Sequence, residues 1–445
     1  MASHIVTSAD VPVDGERLKS SKIDKIKMLA GGLSAILTLV SFFLLFGAGE
    51  AISGSFAYSW LFALFFFFTL AVGGCFWTLL HNVSNSGWGT SVRRVMENLG
   101  SVYPYMFIFA IPLLFPSVQQ YLWEWMTMHR EVSGSVFGAG AKEALHHSHD
   151  PHHHLLYLKY WYVSIPFWYI RFAFYFVGLS LVIRGLRKLS VAQDSDPNPG
   201  TSRLYRARFH STYTLIIFAI TITFAGFDWL MALDYTWFST MWGVYLFAGS
   251  ALNSMAVIII TCTLLTQAGY MKKVVTPEHF HIKGKLLLAF TIFWAYVSFS
   301  QFFLIWYANI TEETKYFLIR NTGGWNTGMI ALVFGHFVVP FVILLQAWLK
   351  RTPKLLSIMC VYTLLMHILD HYLIVVPERS ISLMNILPDI YGDVTTTVPG
   401  AFWGDALAFV AVGSGFVFFY LRALGQNNLY PNRDPRLLES ANVSN

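Results

Sequence analysis

The sequence predicts an all-α integral membrane protein, with ten transmembrane helices in two four-helix bundles (helices two to five and six to nine) and two peripheral helices. Three observations predict it. The 445 residues are 55% hydrophobic and only 12% charged, where a soluble protein carries about 25% charge. Apolar runs of roughly 20 residues, the length that crosses a bilayer, recur along the chain. The basic residues also alternate: of 30 Lys and Arg, 23 fall in one alternating set of connecting segments and six in the other.

A polar, mixed-charge arm (1–26) leads into the first run, 27–47. That run is longer than a secretory h-region, and no small-x-small cleavage site follows. It therefore reads as a retained helix, with 27–55 as a peripheral first element. The spans 56–81, 97–117, 160–186 and 210–233 build the first bundle (56–233), and 239–267, 285–309, 325–349 and 354–377 build the second (239–377). The tenth helix is 401–423, followed by a tail at 424–445.

The basic-rich set comprises the N-terminal arm with Lys27 at its edge, 82–96, 184–209, 268–285, 350–354 and the tail with Arg422 at its edge. The opposite set holds Arg130, Lys142, Lys159, Lys315, Arg320 and Arg379, and Arg171 lies inside a span. Such a bias places both termini in the cytoplasm. The isoelectric point near 9.0 then reflects loops beside anionic lipid and calls for no nucleic acid.

Cys75, Cys262 and Cys360 fall in three different spans. With no CxxC or CxxCH the chain offers no ligand set for an iron–sulfur cluster or a c-type haem. Without a Walker A or GxGxxG sequence, nucleotide-driven chemistry is not expected either. The outer segment 118–159 contains HHSHDPHHH (146–154). Imidazoles there could bind a transition metal, but a hydrated loop accounts for the run equally simply and is the preferred reading.

A weak internal repeat relates helices two to five to helices six to nine. Helix four carries Arg171 about eleven residues from its outer end, and helix eight carries His336 at a similar depth. Helix five ends FDWLM with Asp228; helix nine ends LDHYL with Asp370 and His371. Internal repeats are common in transport folds, with sites near the repeat interface. Chance similarity among apolar helices is the competing explanation.

The acids are the best clue to function. A carboxylate in hydrocarbon costs at least about 2.5 kcal/mol, so it faces a bundle interior and marks a pathway or pairs with a cation. Asp228, Asp370 and His371 lie in the outer third, Arg171 and His336 near mid-depth, and Glu97 and His81 at the cytoplasmic ends. Such a file suits a proton pathway, with Tyr103, Tyr105, Ser300, Gln301, Tyr307 and Asn309 as partners for bridging waters. The plainer alternative is that Asp228 simply pairs with Arg171. His367 and His371, four apart, share a helix face that could ligate haem or metal, yet only His336 is deep enough to oppose them. No metal or cofactor is expected in this chain. The Phe- and Tyr-rich spans could also form a quinone groove. Trp60, Tyr160, Trp161, Trp306, Tyr307 and Trp325 read as interfacial anchors.

Two stretches, DWLMALDYTWFSTMWGVYLFAG (228–249) and WYANITEETKYFLIR (306–320), resemble the membrane subunits of bacterial alternative complex III, most nearly the F type. These belong with the polysulfide-reductase/NrfD-type membrane subunits, and the likeness covers essentially the whole chain. It implies a quinol:electron-acceptor oxidoreductase of the bacterial cytoplasmic (inner) membrane, oxidising menaquinol or ubiquinol. The implied partners are a paralogous C-type membrane subunit, an iron–sulfur/molybdopterin-like subunit, multi-haem cytochrome c subunits and a terminal oxidase. Haem c and iron–sulfur clusters would reside in those partners, with none in this chain. By this resemblance Asp228 opens the first motif and Asp370 is its repeat counterpart, while no residue matches a quinone-contact motif. The expected function is a proton-pathway and scaffold subunit. A quinone-binding redox subunit of the same complex is the alternative. A secondary transporter is the further alternative, weakened because the two halves lack matching Gly/Pro-broken helices.

Overall fold

The computed structural model describes residues 5–196, 199–386 and 401–444; the first four residues of the predicted arm and the last of the predicted tail lie outside them. The architecture is all-α, that of a multi-pass membrane protein. Among the described residues there is no strand, only an isolated bridge between Arg17 and Asn428. Among the described residues nine helices are long and apolar enough to cross a membrane, and a tenth span results if one bent pair is counted.

The long helices in chain order are α1 (Ser21–Phe46), α2 (Glu50–Ser84), α3 (Arg93–Leu114), α4 (Ile165–Asp194) and α5 (Ser202–Trp229). They continue with α6 (Trp242–Gln267), α7 (Pro277–Ala308), α8 (Trp325–Leu344), α9 (Pro353–Ile386) and α10 (Ala401–Gln426). α3 is the bent member: it turns by 85° into the short helix Pro116–Leu122. Pro116 is the first residue beyond the bend, where a missing N–H and a fixed φ favour a new helix start. Three short helices, Glu124–Ser133, Ala141–His147 and Pro151–Lys159, fold the outer loop.

α2 is the hub. It packs against α3, α5, α6, α9 and α10 and is buried along nearly its whole length. A helix that is apolar all round suits such a position. Close approach is written into its glycines. A Cβ on Gly73 would lie 2.2 Å from the Ser250 carbonyl oxygen of α6, and one on Gly74 would lie 2.6 Å from the Gly100 nitrogen of α3. α1, by contrast, lies outside, packed mainly on α10, with Leu29, Ile36, Leu39 and Phe43 exposed.

The connecting segments sort into two ends. At one, the Leu429 amide donates to the Glu16 carbonyl (2.8 Å), the Met271 amide to Glu16 Oε2 (2.6 Å), and Arg433 to the Asp196 carbonyl (2.7 Å). The N-terminal arm, the C-terminal tail and the loops at 196 and 271 therefore lie together, as the alternation of basic residues predicts. At the other end Lys159 donates to the Tyr235 carbonyl (3.0 Å), Trp237 to the Glu313 carbonyl (3.0 Å), and Lys315 pairs with Asp234 (2.9 Å).

Two prolines shape the second half. Pro377 lies inside α9 and cannot donate to the carbonyl four residues back. The freed Leu373 carbonyl accepts instead from Arg320 Nε (2.8 Å), and Arg320 also bonds the Ile374 carbonyl (2.7 Å) and Glu378 (2.9 Å). In α8 the turn Val333–Val338 is a π-helix. Pro340 follows, and its ring would crowd the carbonyl of His336 in a regular α-helix; the wider turn relieves that clash.

One anchor assignment fails. Trp60 is fully buried and its indole donates to the Phe109 carbonyl (2.8 Å), because α2 has no lipid face at that position. Trp161, Trp306 and Tyr307 are largely exposed, as anchors should be.

Candidate functional site

The predicted residues gather into three clusters. In the first, Asp228 near the end of α5 meets Arg171 of α4. Nε and Nη2 of Arg171 donate to the two carboxylate oxygens, both at 2.7 Å. The Tyr162 hydroxyl donates to Oδ1 (3.0 Å) and the Tyr175 hydroxyl to Oδ2 (2.5 Å). The guanidinium also donates to the Tyr162 carbonyl (2.8 Å) and lies over the rings of Tyr162 and Phe167 (3.9 and 4.5 Å). Four hydrogen bonds to one carboxylate, two of them from a bidentate arginine, make a tightly held ion pair. The plainer alternative for Asp228, pairing with Arg171, is thus what the structure contains.

The second cluster surrounds Asp370 of α9, with no Arg or Lys paired to it among the described residues. The Tyr245 hydroxyl of α6 donates to Oδ1, and His367 Nδ1 lies 3.7 Å from Oδ2. His336 from the π turn of α8 completes it: ligand atoms of His336, His367 and Asp370 all lie within 4.8 Å of one another. His371 packs its ring 4.1 Å from that of His367, and its Nδ1 meets the His367 carbonyl (3.2 Å). All four side chains are buried. Four of their ring nitrogens, both of His336, Nδ1 of His367 and Nε2 of His371, have no hydrogen-bond partner among the described residues.

Between the clusters stands aromatic packing. Phe65 of α2 sits edge-on to Trp229 (6.1 Å), next to Asp228, and 5.9 Å from the His371 ring on its other side. Phe66 contacts His367 and His371 at 5.3 and 5.9 Å.

The third cluster lies toward the terminal end. Glu97 of α3 pairs with Arg93 (3.3 Å) and Arg94 (3.2 Å), which reach on to Asp434 (2.8 Å) and Asp194 (3.1 Å). His81 is buried and bonds Ser86 (3.0 Å). Of the proposed water partners, Tyr103 donates to the Tyr175 carbonyl (2.5 Å), Gln301 accepts from Ser239 (3.2 Å), and Tyr307 is exposed.

Several buried charges were not singled out from the sequence. Asp405 of α10 accepts from Arg379 (2.7 Å) and from Ser59 of α2 (2.6 Å). Lys283 of α7 is buried, with its ammonium 4.2 Å from the Phe280 ring. Asp405 was legible as an acid four residues inside the tenth span. His367 was noted with His371 as a possible ligand face opposed by His336, but its approach to Asp370 was not foreseen.

A cavity of about 300 Å³ opens beside the Asp228 cluster, lined by Trp161, Tyr162, Arg171, Phe224, Asp228 and Trp237 among others. Helix breaks do not match between the halves. α3 is bent while its counterpart α7 runs unbroken for 32 residues, and the π turn of α8 has no equivalent in α4. No family model matches the chain, and no curated protein matches it.

Proposed function

We propose that this chain is a proton-pathway and scaffold subunit of a quinol-oxidising respiratory complex of the bacterial cytoplasmic membrane, akin to the F-type subunit of alternative complex III. Its ten spans form two four-helix bundles, α2–α5 and α6–α9, with α1 and α10 outside and both termini in the cytoplasm. Contacts of α2 with α3 and α5, and of α6 with α7 and α9, support that division, with α2 also packed on α6 and α9 across it. Multi-haem and iron–sulfur partners carry the electrons, and this chain holds no redox centre. The observation that carries the reading is Asp370 buried against His336, His367 and His371. Carboxylate and imidazole with no fixed counter-cation are the groups that load and release a proton inside a membrane protein. Glu97 and His81 form the cytoplasmic entry. His336, Asp370 and His371 carry the proton within the membrane, and Arg171–Asp228 stands beside them as a fixed charge pair.

The test is proton-to-electron stoichiometry of the intact complex in vesicles. Asp370→Asn should lower proton-coupled turnover by about 10²-fold, the low end for removing a positioned proton-transfer group. Normal stoichiometry in an assembled Asp228→Asn/Asp370→Asn complex would overturn the proposal.

The cavity beside Asp228 favours one second reading, a quinone-binding subunit. Its aromatic walls and Tyr162 hydroxyl suit a quinone ring. A photoreactive quinone analogue should then label Trp161 or Phe224; labelling confined to other subunits counts against it.

A further inference from the structure

We propose that His336, His367 and Asp370 form a binding site for one divalent transition-metal ion of the Zn²⁺ class. Two of the three potential ligands, His367 and Asp370, have an outer atom held and an inner atom left over. His367 Nε2 lies 3.3 Å from the Thr69 hydroxyl, which leaves Nδ1 aimed at Asp370. Tyr245 holds Asp370 Oδ1, which leaves Oδ2. Ligands oriented by outer hydrogen bonds are the usual state of protein metal sites. His336 is fully buried with neither ring nitrogen bonded, and its ring stands edge-on to Trp294 at 4.2 Å. His371 Nε2 is the next free donor on the same face.

Two imidazoles and one carboxylate select a borderline cation over Ca²⁺ or Mg²⁺, which take oxygen ligands. A tetrahedral Zn²⁺ at about 2.0–2.1 Å from each ligand needs its ligands about 3.4 Å apart. The three present atoms, within 4.8 Å of one another, must therefore close by about 1.5 Å or less. His336, whose ring nitrogens hold no hydrogen bond, has the least to give up in closing that distance. An ion here would occupy the atoms proposed to carry protons, yet the binding claim stands without that reading. Metal content is measured with no proton flux, so either can fail alone.

The test is metal content of the complex purified from cells grown with added Zn²⁺, then exchanged with Co²⁺. The exposed histidines at 146–154 are the competing site, so the measurement uses a chain with His146, His147, His149, His152, His153 and His154 changed to Ala. One ion per chain should remain there and fall to none when His336→Ala is added. A second variant guards against simple misfolding. His336→Cys should keep the ion and gain a thiolate-to-Co²⁺ charge-transfer band. Loss of all metal with the loop histidines, or Co²⁺ bound to His336→Cys without that band, overturns the proposal.

Discussion

Asp228 and Asp370, buried acids on two apolar helices, differ in what surrounds them. Asp228 is locked by a bidentate arginine and two tyrosine hydroxyls. Asp370 has one tyrosine and three imidazoles, with ring nitrogens to spare. In each case a side chain of one long helix reaches the acid of the next. Arg171 does so for Asp228, and His336 for Asp370. The exchange of a permanent cation for a titratable base converts a structural pair into a chemical one. A buried ion pair whose charges are both satisfied has little reason to change state. An acid among imidazoles can share a proton with several nitrogens.

The largest effect expected from that contrast is on stability. Arg171→Leu leaves Asp228 buried without its cation, and breaking a buried pair in this way costs about 3–5 kcal/mol. Arg171→Leu/Asp228→Leu should recover most of that loss, because both charges are then gone. His336→Leu removes a buried group without a partner and conserves volume, so it should cost less than about 1.5 kcal/mol. Thermal unfolding of the purified complex checks all three. Equal losses in Arg171→Leu and His336→Leu would erase the distinction between the halves.

How much of this could be read beforehand follows from what apolar helices reveal. Spans and alternation of ends were legible because length and basic loops carry them. The Arg171–Asp228 pair was legible because two opposite charges in consecutive apolar spans have few other partners. Rotational phase was not. In helices apolar on every side, nothing marks which face looks inward, so Trp60 read as an anchor while it lies in the core. Tyr162, Tyr175 and Tyr245 were lost among 22 tyrosines, and only packing shows which hydroxyls reach a carboxylate. His336 with Pro340 four residues on was a readable sign of a widened turn.

A middle-sized effect tests the hub between the halves. Gly73 of α2 faces the Ser250 carbonyl and the Ser254 side chain of α6, the helix that carries Tyr245. Gly73→Ala must push α2 and α6 apart, because backbone cannot yield as a side-chain tip can. Overpacking of this kind costs about 1–3 kcal/mol. The displacement should reach Asp370 through Tyr245 and leave Arg171–Asp228, held by α4 and α5, in place. Proton-coupled turnover should therefore fall more than thermal stability does, and the reverse order would mean that Tyr245 does not position Asp370.

The smallest effect concerns the outer cap over the Asp228 side. His129 is buried, stacks on Tyr160 at 5.5 Å and contacts Trp125 at 5.4 Å. Tyr160 lies two residues before Tyr162, which bonds Asp228. Burial, aided by the neighbouring Arg130 and His153, lowers the pKa of His129 to about 4, against about 6.5 for an unfolded histidine. The folded state thus keeps His129 neutral while the unfolded state binds a proton. The resulting stability is complete above about pH 6.5 and is lost as pH falls towards 4. Between pH 7.5 and 5.5 the loss should be about 1 kcal/mol. His129→Phe keeps the stacking and removes the titration, so its unfolding temperature should vary less over that range. An equal slope in the variant would place the acid sensitivity elsewhere, and loosening that first slowed Asp370-dependent turnover would show that the cap serves both halves.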